Sequence, residues 1–379
     1  MLRINLHDNG QHLTFAPLTL TRPVGGLRIG ILTNEERWKL VSTTSEIGFT
    51  TEDYLQKRFP KLEDAIELNA CILATPALAN ELINLENNTM LVQDNLWIAT
   101  KGTGETKKQY SSEPLIWLTA RWELYAKNHE ALHLDYALVT KNRISQKLSE
   151  TNRLIGPSEL LFIEEGAIVE GATINTKSGP VYIGKQAEVM EGTLIRGALA
   201  LCEHASLKLG TKIYGATTIG PYCKVGGEVN NVIFQSYSNK GHDGFLGNSM
   251  IGEWCNLGAD TNTSNLKNNY GNVSTYSYTS SKEIETNMQF MGLAMGDHSK
   301  CGINTMFNTA TVVGVSCNIF GSDFPAKYVP SFSWGGTACV PFKFSKAIEF
   351  ANNMMNRRGL QLTQEEIEIL AFIESSKTH

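Results

Sequence analysis

The sequence has no run approaching the roughly 20 apolar residues of a membrane-spanning helix, so nothing in it calls for a bilayer. Lysine and arginine form no cluster along the chain, and the net charge is -5. Nucleic-acid backbones are bound by concentrated positive charge, so that class of partner is set aside. The cysteines (Cys71, Cys202, Cys223, Cys255, Cys301, Cys317, Cys339) are scattered, with no CxxC pair for zinc or redox work, which fits a reducing cytoplasm. Residues 1–10 carry Arg3, Asn5, His7 and Asp8 rather than the apolar stretch of a secretion signal. What is there is ordinary for a globular protein: 379 residues, 42% hydrophobic and 19% charged, enough for two or three domains.

A repeat organises the second half. Ile183, Val189, Ile195, Leu201, Leu207, Ile213, Ile219 and Val225 fall at every sixth position. A period of six fits neither the 3.6 of a helix nor the simple alternation of a strand. It fits short strands stacked around a three-sided prism, one inward aliphatic per side. Ile163 and Val169 mark an earlier coil beginning soon after Ile155-Gly156; Phe245, Ile251 and Leu257 form a second run, and Met295, Cys301, Phe307, Val313 and Ile319 a third. Corners such as Ile219-Gly220-Pro221-Tyr222 carry turn formers. The stretch Gly227–Ser238 and the polar stretch Asn262–Thr286 read as loops leaving the prism, where binding chemistry commonly sits. Beyond the repeats a helical pattern runs from about Ser345 to Arg358 and stops at Gly359; Thr363 and Glu366 form a capping box for a second helix, Gln364 to Glu374. Both helices are expected to cover the open end of the prism, where strand edges would otherwise be unpaired.

The segment Gly241-His242-Asp243-Gly244-Phe245-Leu246-Gly247, continuing through Ile251-Gly252 and Asn256-Leu257-Gly258-Ala259-Asp260-Thr261 to Asn265, with Met295-Gly296-Asp297 and Val313-Gly314 after it, resembles the bifunctional glucosamine-1-phosphate acetyltransferase/N-acetylglucosamine-1-phosphate uridylyltransferase family in a variant bacterial branch. The resemblance covers about Ile155–Gly336 strongly and the preceding part weakly. It implies a left-handed parallel β-helix, a homotrimer with active sites between neighbouring β-helices, acetyl-CoA along an outer groove, and a sugar phosphate or nucleotide sugar as acceptor. His242 aligns with the family's catalytic histidine. A protonated amine is no nucleophile, so a base must take its proton as the nitrogen attacks the thioester. The same resemblance makes Asn256 an acceptor-sugar contact, Ala259 the neighbour of the thioester, and Ile303 and Gly321 further contacts of the coenzyme. Phe245 stands where the family has Tyr, Asp260 replaces a Gly, and Leu266-Lys267 follows Asn265 in place of Tyr-Asp. Asp243 should point to the other side of its strand from His242. Lys208, Lys212, Asn239 and Lys240 are candidate phosphate contacts, Lys240 the one retained, and each is equally a solvated corner residue. A zinc site of three histidines is disfavoured because His204, His242 and His298 are spread over many coils; His298 reads as a corner residue.

The N-terminal part resembles the variant branch in Pro17-Leu18-Thr19 and Thr21-Arg22-Pro23, with Gly25-Gly26 as a turn. A sugar nucleotidyltransferase cradles nucleotide phosphates on such a loop. Arg22, Arg28 and Lys39 are the cations that could meet them, or could tie the loop to the surface, and Asp94, ending the apolar stretch from Met90, would be the carboxylate for Mg²⁺. The fold expected is an α/β domain of reduced, Rossmann-type nucleotidyltransferase kind over 1–112, a helical linker over 113–152 with a helix at Ile116–Ala126, the β-helix over 153–336 and C-terminal helices over 337–379. The function expected is acetyl transfer from acetyl-CoA in nucleotide-sugar biosynthesis, with nucleotidyl transfer as a second activity. The alternatives are nucleotidyl transfer alone on a structural β-helix, or nucleotide-sugar binding without catalysis.

Overall fold

The structure is a computed structural model and describes residues 2–42 and 46–376. The N-terminal domain is built on a six-stranded sheet in the order Glu46–Thr50, Arg3–His7, Ile66–Asn69, Leu96–Lys101, Thr89–Gln93, Thr106–Gln109. The first three strands run parallel. The other half of the sheet is a hairpin, because Asp94 (φ 48) and Asn95 (φ 68) take the left-handed backbone that a two-residue hairpin turn requires. The sheet is therefore mixed rather than doubly wound throughout. Ala70–Ala74 follows the strand Ile66–Asn69 as buried coil. The expected linker helix is shifted: Ile116–Leu118 is extended, with Trp117 bridging Ile72, and the helices are Glu123–Ala126 and Asn128–Thr140.

From Arg153 to Gly335 the chain winds as a parallel β-helix, each strand pairing with its counterpart one coil on. All eight aliphatics of the six-residue series are at most 3% exposed and fill the lumen. At roughly 25 cal/mol per Å² of apolar surface, this continuous column is the main favourable term holding the coils together. The series breaks for a local reason. Ile213 and Ile219 pair with Val229 and Phe234, and these with Leu246 and Ile251, so the six-residue step shortens to four from Val225 to Val229 and to five from Val229 to Phe234 and from Leu246 to Ile251. Glu228–Phe234 is thus a strand of the prism and not the loop expected there, and Leu246 rather than Phe245 faces the lumen. The Asn262–Thr286 stretch begins in the coil and then leaves it, carrying a small hairpin of Ser274–Ser277 and Lys282–Glu285.

One corner of the prism is a ladder of rings. His204, Tyr222, Tyr237 and Trp254 all have left-handed backbone, with φ between 53° and 61°. Successive rings stack at 4.7, 4.8 and 4.2 Å, the offset arrangement that aromatic pairs favour.

The two domains share one core. Leu6, Phe15 and Leu20 of the N-terminal domain belong to the same apolar cluster as Ile233, Met250, Ala294 and Val312 on an outer face of the β-helix. The C-terminal helices run along the side of this body and do not form a lid on its end. The last coil is instead closed by Cys339–Pro341, which turns back antiparallel on Ser333–Gly335. The helix Phe344–Asn356 packs Phe344 against Phe332 and Phe350 against Trp334 and Phe342, and just past its end Arg358 donates to the Tyr222 carbonyl at 3.2 Å. The helix Gln364–Ser375, capped by Thr363 and Glu366 as its sequence predicts, reaches the N-terminal domain. There Phe372 stacks on Tyr54 at 4.1 Å, and Glu366 and Glu368 pair with Arg58 and Lys57. Among the described residues no helix is long and apolar enough to cross a membrane.

Candidate active site

A cleft of about 770 Å³ opens between the β-helix and the helix Phe344–Asn356. Its floor is a single sheet of the prism. Lys224, Asn239, Asn256 and Lys300 stand on four successive strands of that sheet, while their sequence neighbours Val225, Lys240, Leu257 and Cys301 point into the lumen. Alternation along each two-residue strand produces this division. Tyr237 and Trp254 of the ring ladder form one wall, and His242, Ala259 and Ile303 line the opposite edge. The helix supplies Asn353 and Met354 from above, and the turn just past it Arg357 and Arg358.

Of the residues singled out in the sequence, His242, Asn256, Ala259, Ile303, Lys208 and Asn239 meet here, and Lys212 does not. The His242 imidazole is exposed to the cleft and makes no side-chain hydrogen bond to a described residue. Its backbone is held from within, because Lys240 Nζ donates to the His242 carbonyl at 2.9 Å and to that of Gly226 at 3.1 Å. Lys240 is 1% exposed and occupies an inward slot between Val225 and Leu257. Burial lowers its pKa to about 8. A lysine sealed in the lumen cannot hold a substrate phosphate, so the sequence-based expectation for Lys240 is corrected to one of holding the His242 turn. Lys300 has a pKa lowered by burial to about 8 as well, but faces the cleft, and its Nζ reaches the His298 carbonyl at 2.9 Å.

Phe245 and Asn265 lie elsewhere, beside Gly247, where Asn265 Nδ2 donates to Asn248 Oδ1 at 2.8 Å. Neither lines the cleft. Gly321 is exposed (φ 141) next to Phe320, on the coil beyond Ile303, and Ile303 and Phe320 are 70% and 44% exposed. An apolar strip therefore leads from the His242 edge toward the last coils. His298 is at a corner with Arg22, Arg58, Trp254 and Glu366, away from that strip.

The N-terminal candidates are arranged differently. Residues 15–31 are buried almost without a break between the sheet and the β-helix. Arg22 pairs with Asp297, hydrogen-bonded Nη2 to Oδ2, and with Glu253 at 3.2 Å; both acids belong to the β-helix. Arg28 donates its backbone N–H to Gln235 Oε1 at 2.8 Å and its guanidinium to the Ile31 carbonyl and to Glu36. A Cβ on Gly25 would meet Leu6 Cδ1 at 2.7 Å, so this glycine is fixed by close packing. Arg22 through its guanidinium and Arg28 through its backbone N–H tie the domains together, Gly25 is packed within its own domain, and none of the three is open to a phosphate. Lys39 is exposed and paired with Glu35 at 2.5 Å on the first helix. Asp94 is exposed at its hairpin tip, and no group of three His, Cys, Asp or Glu residues able to hold a metal occurs among the described residues. The residues around Asp94 do not fit a Mg²⁺ site.

Sequence reasoning missed Lys224, Lys300, Arg357, Arg358 and the ring ladder. Lys224 and Lys300 carried a usable signal, since each stands immediately before an inward position of the repeat. Arg357 and Arg358 carried none.

Residues 4–144 match a family model described as sugar nucleotidyl transferase, a span that runs past the helix Asn128–Thr140. A bifunctional protein GlmU of Methanocaldococcus jannaschii is 34% identical over 95 residues, 25% of this chain and 22% of that protein, so the chain spans about a fifth of that relative. Among solved structures, the polySia-specific acetyltransferase NeuO covers 51% of this chain and 82% of its own length at 12% identity and a TM-score of 0.25. The UDP-N-acetylglucosamine acyltransferase from Campylobacter jejuni covers 61% and 97% at 15% identity and a TM-score of 0.22. With the fold described above, the chain joins a domain that matches the sugar nucleotidyl transferase family model over residues 4–144 to a parallel β-helix of six-residue repeats.

Proposed function

We propose that the chain transfers acetyl from acetyl-CoA to the amine of an amino-sugar phosphate or nucleotide sugar, in the supply of nucleotide sugars. The observation that carries this reading is that His242, Asn256 and Ala259, from successive turns of the repeat, line one cleft beside an apolar strip. In this reading His242 accepts the proton of the attacking amine as the nitrogen–carbonyl bond forms. The carbon–sulfur bond then breaks, and the thiolate of CoA leaves and takes up a proton. Asn256 holds the acceptor sugar, while Ala259, Ile303 and Gly321 flank the coenzyme arm. Phe245 and Asn265, outside the cleft of a single chain, contribute only where a second copy in a homotrimer brings them to a neighbour's site.

The test is release of CoA from acetyl-CoA with glucosamine-1-phosphate and a panel of amino-sugar nucleotides. His242→Ala should lower kcat by about 10²–10⁴-fold, the usual contribution of a positioned base, and leave the melting temperature unchanged because the ring is exposed. Undiminished turnover in that variant would remove His242 from the mechanism.

A second reading, nucleotidyl transfer by the N-terminal domain, is favoured by the family match over 4–144. The burial of residues 15–31 weighs against it. Pyrophosphate release from UTP or dTTP with Mg²⁺ and a sugar-1-phosphate, persisting in His242→Ala, would establish it.

A further inference from the structure

The floor, edge and roof of the His242 cleft carry an unusual charge arrangement. Lys208, Lys224, Lys300, Arg357 and Arg358 all line it, and among the described residues no aspartate or glutamate does. None of these cations is in an ion pair with a described residue. They are also close to one another. Burial pulls the Lys224 ammonium below its usual pKa, and Arg358, Lys208 and Arg357 pull it the same way, with Glu188 the acid that opposes them. Uncompensated positive charge facing a cleft raises the local concentration of anions and selects those of high charge.

The cations are not spread evenly. Lys208, Lys224, Arg357 and Arg358 gather on the side of the earlier coils, where Arg358 is anchored on the Tyr222 carbonyl. The apolar strip from Ala259 to Ile303 and Phe320 leads the opposite way. Lys224 lies two strands below Asn256. At about 4.8 Å per strand that is roughly 10 Å, which leaves room for one sugar ring between a reacting amine at His242 and Asn256 and the phosphates attached to that sugar. Paired arginines with two lysines match more phosphate oxygens than a single phosphate offers, and guanidinium forks bind such oxygens in pairs.

Resting on the acetyl-transfer reading for the placement of the sugar, we infer that this side of the cleft is a diphosphate site: the acceptor is a sugar carried on a nucleoside diphosphate, with Arg357 and Arg358 of the C-terminal helix and Lys224 of the β-helix as its phosphate contacts. The C-terminal helix is then a specificity element that makes the cleft select a diphosphate-linked sugar over a sugar monophosphate.

Binding measures this without turnover. Calorimetric titration of the full chain with UDP, dTDP, GDP, CDP and ADP, with the matching monophosphates, and with CoA separates the sources of phosphate. At least one nucleoside diphosphate should bind saturably and at least tenfold more tightly than its monophosphate. Arg357→Ala/Arg358→Ala should weaken that diphosphate roughly tenfold or more, as expected for lost charged hydrogen bonds, while CoA affinity changes less than about twofold. Because Arg358 also holds the Tyr222 carbonyl, Lys224→Gln serves as a second variant on a rigid strand and should weaken the same diphosphate about fivefold. Equal loss for CoA in both variants would assign the cations to the coenzyme's own diphosphate and overturn the inference. So would failure of every nucleoside diphosphate to bind, or acetyl transfer confined to sugar monophosphates. Selective diphosphate binding by a chain that transfers no acetyl group would leave this site standing and remove only the acetyl-transfer reading.

Discussion

Two groups of basic residues in this molecule look alike in sequence and do opposite things. Arg22 and Arg28 flank a Gly-Gly turn in the N-terminal domain, the Arg22 guanidinium buried against Asp297 and Glu253 and that of Arg28 against Glu36 and the Ile31 carbonyl. Lys224, Arg357 and Arg358 border a cleft that no carboxylate of the described residues lines, and none of them is in an ion pair there. The first group is internally neutralised and holds two domains together. The second leaves its charge unanswered, which costs stability through mutual repulsion and is useful only if an anion completes it. Whether a cation is structural or functional is decided by what stands opposite it.

The largest expected effect tests the buried side of this contrast. Arg22→Met leaves Asp297 and Glu253 facing each other without the cation between them, and Asp297 is only 3% exposed. Removing one member of a buried pair strands the other's charge, at about 3–5 kcal/mol. The variant should melt several degrees below wild type in a thermal scan and still bind nucleoside diphosphate, within about twofold, once folded. Arg357→Ala should show the reverse pattern, with stability within about 0.5 kcal/mol of wild type and binding lost. If Arg22→Met instead melted normally and bound nucleotide poorly, the two groups would have exchanged roles.

Lys240 sharpens the comparison, being a cation that is neither ion-paired nor open to solvent. Its pKa is about 8 in the folded chain against the usual lysine value of 10.5. Below pH 8 the ammonium is charged in both states and its burial penalty is felt in full. Between pH 8 and 10.5 the folded chain releases a proton that the unfolded chain keeps, so folding stability contributed by this group rises with pH. The span limits the gain to about 3 kcal/mol. Lys240→Met should flatten the difference in urea midpoint between pH 7.5 and 10.5 relative to wild type, and an unchanged slope would mean that the ammonium is solvated. The same variant loosens the His242 carbonyl, so it should lower kcat more than it changes KM.

Much of this architecture can be read along the chain, and the failures have identifiable causes. The six-residue series located nearly every lumen residue because each coil buries one aliphatic per side regardless of context. It slips between Val225 and Ile251 because inward positions there stand four residues apart from Val225 to Val229 and five apart from Val229 to Phe234 and from Leu246 to Ile251, which turns Phe245 outward. The Asp94-Asn95 pair is a readable hairpin signal, two turn formers between extended segments, and it competes with the reading of Asp94 as a metal carboxylate. His242, Asn256 and Ala259 were found by family resemblance, and they converge because residues near one coil of separation stack along the axis. Arg22's partner is 275 residues away and Arg358's carbonyl 136. No pattern within the N-terminal loop or the last helix encodes those contacts, so the interdomain ties and the roof of the cleft appear only once the chain is folded.

The smallest effects belong to the exposed N-terminal candidates. Lys39 and Glu35 form an i, i+4 pair on the first helix, with side chains 57% and 31% exposed. Such a pair is worth about 0.3–0.5 kcal/mol, with salt reducing it further. Asp94 sits at a turn whose left-handed backbone asparagine also tolerates. Lys39→Ala and Asp94→Asn should each shift the urea midpoint barely beyond measurement error and leave the affinity for every nucleoside diphosphate unchanged, with or without Mg²⁺. A tenfold loss of nucleotide binding in Lys39→Ala would show that a phosphate meets the N-terminal domain at its surface helix. The burial of Arg22 and Arg28 would then mark a site that has moved within the domain, and the division between a neutralised domain and a charged cleft would fail.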